Sequence, residues 1–193
     1  MRHRMQGVTL VEALVAVTIA ASLLALAGPG FTKTIANLQT KQLMDSLVTH
    51  MLLAQSEAIK RNARVVICKS VDGLSCAASG GWEHGWIVFH DPNDSGTREP
   101  SELMVRSLVV DHPAVRINGN ANISRYVSYT ALGSTRLVNG AFQAGTFTLC
   151  HATRGDVDAR RVIINSVGRV RVSKVSASDH CLPVSAAPRL PTS

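Results

Sequence analysis

The period of the apolar positions changes twice along the chain. From Val8 to Ala27 apolar residues fill nearly every position, and Glu12 is the single charge. Twenty helical residues at about 1.5 Å each reach about 30 Å, the thickness of a bilayer's hydrocarbon core. Gly28-Pro29-Gly30 follows, where a missing backbone donor and loose turns predict a kink or local melting. From Phe31 the pattern becomes amphipathic. Ile35, Leu38, Leu47, Met51 and Ala58 form one stripe with Leu43, Met44 and Val48, opposite Gln39, Lys41, Asp45, Glu57 and Lys60. Basic residues and an asparagine at Lys60-Arg61-Asn62 predict the helix end.

Beyond residue 63 the period drops to two. Strands are predicted at Arg64–Lys69, Gly85–His90, Glu102–Leu108, Val115–Asn118, Tyr126–Thr130, Thr146–His151, Arg160–Ser166 and Arg169–Val172, with turn-rich stretches between them. No helical pattern recurs. The expected fold is α+β: a long N-terminal helix, transmembrane then amphipathic, packed on an antiparallel β-sandwich or two small β-sheets. The expected division is residues 1–7 as a leader, 8–30 as the apolar helix, 31–181 as the globular domain and 182–193 as a proline-bearing loose tail.

Arg2 and Arg4 precede the apolar run and the next charge is Lys33, which places the N-terminus in the cytoplasm and the remainder outside. Three readings of the run compete. Ala25-Leu26-Ala27 suits a signal-peptide cleavage site, but the run exceeds the usual apolar core of about 7–15 residues. A plain membrane anchor fits the length and leaves Glu12 without a reason. A carboxylate at that depth costs roughly 2–3 kcal/mol unless partnered, which makes Glu12 a functional candidate.

Gly7-Val8-Thr9-Leu10-Val11-Glu12 resembles the type IV prepilin signature, although Val8 is smaller than the Phe or Met usual at that place. The resemblance implies cleavage after Gly7 by a prepilin peptidase and methylation of the new terminus at Val8. It implies that Glu12 meets the terminal amine of a neighbouring subunit during assembly, and that the helix unwinds locally near Pro29 in the filament. It places the chain in the inner membrane, single-pass, with its C-terminal domain in the periplasm, and then in a surface pilus among other pilin subunits.

Composition adds charge and sulfur. The formal charge is +7, and removal of a leader holding Arg2 and Arg4 leaves it at +5. A basic surface admits nucleic acid or anionic lipid, or serves only solubility. Cys68, Cys76, Cys150 and Cys181 allow three pairings; local loop closure favours Cys68 with Cys76 and Cys150 with Cys181. A zinc site competes poorly, because there is no CxxC and no regular histidine spacing. An export segment upstream favours oxidised cysteines.

Asp91, Asn93, Asp94 and Glu99 offer calcium-type oxygen ligands without EF-hand spacing, and Asx-turn chemistry accounts for them better. His84, His90, His112, His151 and His180 are scattered and no nucleophile motif accompanies them, so neither catalysis, metal nor cofactor is expected. Arg154, Arg160, Arg161, Arg169, Arg171 and Lys174 oppose only Asp156 and Asp158. Arg169 and Arg171 alternate with Val170 and Val172, so both guanidinium groups are expected on one strand face with the valines toward the core. Gly168 suits the turn before them. Paired forks grip successive phosphates without reading sequence; a solvated basic strand is the plainer account.

The helix, the strand series and the turn flanked by Cys68 and Cys76 resemble the minor pilins and pseudopilins of the FimT and GspH group. Gly168-Arg169-Val170-Arg171 resembles the GRxR motif of the FimT minor pilins, and like theirs it precedes a last cysteine, here Cys181. The resemblance implies binding of extracellular double-stranded DNA for natural transformation, with Lys174, Arg160 and Arg161 in support. The alternative it implies is a GspH-like pseudopilin that builds the tip of a secretion pseudopilus.

Overall fold

The computed structural model describes residues 9–111, 113–176 and Cys181. Gly7, Val8 and the tail 182–193 lie outside the described residues, as do His112 and His180. Two compact units are distinguished, residues 1–35 and 36–193.

A single helix, α1, runs from Leu10 to Arg61. Its first part is exposed on every side, with Leu10, Val11, Leu14, Val17 and Leu23 all more than half accessible. A helix apolar all round needs lipid or other helices as a partner. Among the described residues no helix is long and apolar enough to cross a membrane; the span expected at 8–30 includes Val8 and the side chains of residues 24–30, outside the described set. Of the kink or local melting expected at Gly28-Pro29-Gly30, melting is not found, because the helix continues through it. Proline withdraws one intrahelical hydrogen bond, which weakens a helix flanked by strong formers without ending it.

Within the second unit α1 buries Ala36, Thr40, Met44, Leu47, Met51, Ala54 and Ala58. That stripe corrects the expected one at its start. Ile35 and Leu38 are 41% and 58% exposed, because they project from the other side of the turn that presents Ala36 and Thr40. The helix ends as expected. Asn62 adopts φ 49°, Ala63 N donates to Ala58 O and Asn62 N to Ile59 O, each at 3.2 Å, which is the Schellman arrangement.

Eight strands follow: β1 (Val65–Lys69), β2 (Gly85–His90), β3 (Met104–Val109), β4 (Val115–Gly119), β5 (Tyr126–Tyr129), β6 (Gly145–His151), β7 (Ala159–Ile164) and β8 (Val170–Val175). They form two antiparallel four-stranded sheets, ordered β3-β2-β1-β5 and β4-β6-β7-β8. The pattern located all eight, but β3 starts two residues later than expected because Glu102 is held in a turn, its N–H on Glu99 O and its Oε2 accepting from Glu99 N. Strand β8 runs three residues past the expected end. Two single-turn 3-10 helices, Trp82–His84 and Ala121–Ile123, were not foreseen. They are too short to show periodicity, yet Trp82 Nε1 donates to Ile123 O at 3.1 Å and packs edge-on against Phe147.

One core cluster joins Met44, Leu47, Met51, Ala54 and Ala58 of α1 to Val65, Ile67, Trp86, Val88 and Val127 of the first sheet and Ile117, Phe147, Leu149, Val162 and Ile164 of the second. The two sheets differ on their other faces. The first is covered there as well, with Val66, Cys68, Ile87 and Phe89 buried with Cys76, Met104 and Tyr126. The second sheet's other face carries Arg116, Asn118, Arg171 and Ser173, all exposed.

Candidate functional site

The β7–β8 turn is built by local hydrogen bonding. Gly168 N donates to Asn165 O, Asn165 N to Arg169 O, and Asn165 Oδ1 accepts Arg169 N at 2.9 Å. The turn is seated on the β5–β6 connection: Thr135 donates its N–H to Ser166 O and its hydroxyl to Asn165 O. Gly168 closes the contact. Its φ is 83°, and a Cβ there would lie 2.2 Å from Gly133 O and 2.6 Å from Gln55 Nε2. Gln55 in turn donates to Gly133 O at 2.8 Å. The turn is therefore fixed to helix and loop, and the strand that leaves it has a defined face.

Register decides which side chains share that face, since directly opposed residues of an antiparallel pair point the same way. Arg171 opposes Ile163, Ser173 opposes Arg161, and Arg161 opposes Thr148. Arg116 opposes Cys150 and Asn118 opposes Thr148. Alternation then puts Arg116, Arg161 and Arg171 on the outward face, with exposed Arg169 continuing it into the turn. The four span the sheet from β4 to β8, about 14 Å at the usual strand spacing.

The remaining expected residues do not join them. Arg160 opposes Lys174 and Leu149, on the side of Val162 and Ile164, and Arg160 Nε is buried without a hydrogen-bond partner among the described residues. Val170 packs against the core as expected, whereas Val172 is 44% exposed. Strand β8 is an edge, so its middle residues lack a neighbour to cover them. Arg116 was not singled out from sequence. Its alternation with buried Val115 and Ile117 marked it as outward, but the neighbourhood of β4 and β6 depends on sheet order.

Strands β4, β6, β7 and β8 contain Arg116, Arg160, Arg161, Arg171 and Lys174 and no acidic residue. Among the described residues no carboxylate pairs with Arg116, Arg161, Arg169 or Arg171; the nearby ion pair is Arg154 with Asp156 at 3.1 Å. Uncompensated guanidinium groups on a fixed face attract polyanions and bind phosphate or carboxylate oxygens in pairs. Cys150 is bonded to Cys181, which ties the chain beyond β8 back to β6. Cys68 is bonded to Cys76 on the first sheet.

Elsewhere, Thr9 precedes the first helical residue and its hydroxyl accepts Glu12 N at 3.3 Å. Thr9-Leu10-Val11-Glu12 thus also starts a helix, with a carboxylate in the positive first turn. Asp91 is fully buried, and its two oxygens accept Ser95 N and Gly96 N. Asn93 donates to Glu99, and Asp94 pairs with Arg64. Among the described residues no cluster of metal-ligating side chains occurs.

Residues 43–168 match the family described as type II transport protein GspH, and residues 2–28 match the prokaryotic N-terminal methylation motif. The GspH match stops at Gly168, so β8 and its arginines lie beyond it. No curated protein matches the chain. Its fold is similar to that of the type IV minor pilin FimU of Pseudomonas aeruginosa strain PAO1, at 17% identity over 74% of this chain and 92% of that one, with a TM-score of 0.52. The minor pseudopilin EpsH from the type 2 secretion system of Vibrio cholerae is similar at 13% identity over 70% of this chain and 97% of that one, with a TM-score of 0.48.

Proposed function

Because the chain belongs to the family of the type II transport protein GspH and carries the prokaryotic N-terminal methylation motif, we propose that it is a minor type IV pilin that binds DNA through the outward face of its second sheet. Cleavage after Gly7, methylation at Val8, insertion of residues 8–30 in the inner membrane and packing of Glu12 against a neighbouring subunit's terminus are parts of this reading. So is extracellular DNA capture for natural transformation. An ion pair between Glu12 and that amine is favoured in hydrocarbon over two separate charges.

One observation carries the DNA assignment: Arg116, Arg169 and Arg171, all exposed, and half-buried Arg161 share one sheet face on which no carboxylate stands among the described residues. Phosphate contacts of this kind fix no base sequence and release counterions. Binding is expected to be weak, sequence-tolerant and steep in salt. Arg160 and Lys174 contribute charge from the other side and are not counted as direct contacts.

The test uses the full-length protein in detergent micelles with labelled duplex DNA over a salt series. Arg169→Ala/Arg171→Ala should lose affinity and about two units of the log–log salt slope, and adding Arg116→Ala about one more. A folded wild type that fails to bind at low salt rejects the assignment. The second reading then leads: a minor pseudopilin of a secretion pseudopilus, favoured by a family match that covers the last part of α1, from Leu43, and both sheets up to Gly168.

A further inference from the structure

Among the described residues of the second unit, one Phe, Trp or Tyr side chain stands largely in solvent. Trp82, Trp86, Phe89, Tyr129 and Phe147 are buried, whereas Phe142 is 68% exposed. Tyr126 is partly covered and its hydroxyl accepts Val138 N. Phe142 is not on a loose loop. It forms an antiparallel bridge with Arg136, whose guanidinium lies 4.7 Å from the ring centroid and donates to Gly140 O at 3.0 Å. The next residue, Gln143, is buried and fully engaged: Oε1 accepts Ser128 N, and Nε2 donates to Asn122 O and Tyr126 O.

The same connection meets the arginine turn. Thr135, adjacent to Arg136, donates to Ser166 O at 3.0 Å and to Asn165 O at 2.9 Å, and Asn165 holds Arg169 N. A cation-capped ring therefore stands on the connection that seats the arginine turn, exposed where burial would have been favourable.

We propose that Phe142, with Arg136 stacked on it, is a base-stacking position continuous with the arginine face, and that the favoured ligand is single-stranded DNA. This rests on the DNA-binding reading above. An unpaired base offers its π-face to an aromatic ring, while a base within a duplex is already stacked and paired. Arginine adds cation–π attraction to the same stack. The arginines supply affinity for either form; the ring supplies the difference.

The full-length protein in detergent is titrated into labelled oligo-dT and into a labelled duplex of equal length at matched salt. Wild type should favour the single strand. Phe142→Ala should lower the ratio of single-strand to duplex affinity by about 5- to 100-fold, Phe142→Trp should keep it, and the salt slope should not change, since no phosphate contact is lost. An equal denaturation midpoint for Phe142→Ala confirms folding, as expected for an exposed side chain. DNA binding with a ratio that Phe142→Ala does not move, or with no preference in the wild type, overturns the stacking position alone. Absence of binding to both forms overturns the arginine face as well.

Discussion

At Gly168 the backbone conformation and the surrounding space both demand glycine. The φ of 83° is left-handed, and the Cβ of any other residue would press on Gly133 O. Gly168→Ala should cost about 1–2 kcal/mol from the left-handed conformation, plus whatever is needed to displace the Gly133 carbonyl. A lowered denaturation midpoint with a parallel loss of DNA affinity, despite intact Arg169 and Arg171, is the expected result. His50 is a second residue with a definite requirement. It is buried on α1 and its Nδ1 accepts Trp86 Nε1 at 2.8 Å. Burial first, and then the charge of Arg106, hold its pKa below the ordinary value of 6.5. The folded state therefore binds fewer protons than the unfolded chain, so stability is fully present above about pH 6.5 and declines as the pH falls below it. Unfolding by denaturant at pH 7.5 and pH 5 should show that decline, and His50→Gln should remove part of it. His151, also lowered by burial and by Arg154, contributes in the same direction and remains in the variant.

At the scale of elements, period carried most of the information. Two-residue alternation located every strand within a few residues, and the basic end with Asn62 located the helix stop. Four things were not legible. The exact face of α1 was blurred at Ile35 and Leu38, because apolar residues there lie on more than one side and only the sheets decide which is covered. The single-turn helices at Trp82 and Ala121 are shorter than one period. Sheet order is a long-range property, so Arg116 could be recognised as outward but not as sharing a sheet face with Arg161. The paired arginines were legible for the opposite reason, since their common face follows from local alternation alone. Phe142 had no sequence signal beyond being an aromatic near a turn. Its exposure depends on how the β5–β6 connection folds.

Across the second unit, sheet order and the bridge from Cys150 to Cys181 make one surface out of distant segments. The bridge closes a 31-residue separation, and in the chain-entropy treatment a loop of that size is worth roughly 3–4 kcal/mol. Cys150→Ser/Cys181→Ser should lower the midpoint of thermal unfolding accordingly, and Cys68→Ser/Cys76→Ser, with a separation of 8, should lower it less, about 2–3 kcal/mol. The same bridge has a mechanical meaning. Strand β8 is an edge held by β7 alone, so a tug on Arg169 or Arg171 loads that ladder and would begin to unzip it from the turn. Because the chain past β8 is bolted covalently to β6, the tear cannot run beyond the bolt, and tension is passed to an interior strand that has neighbours on both sides.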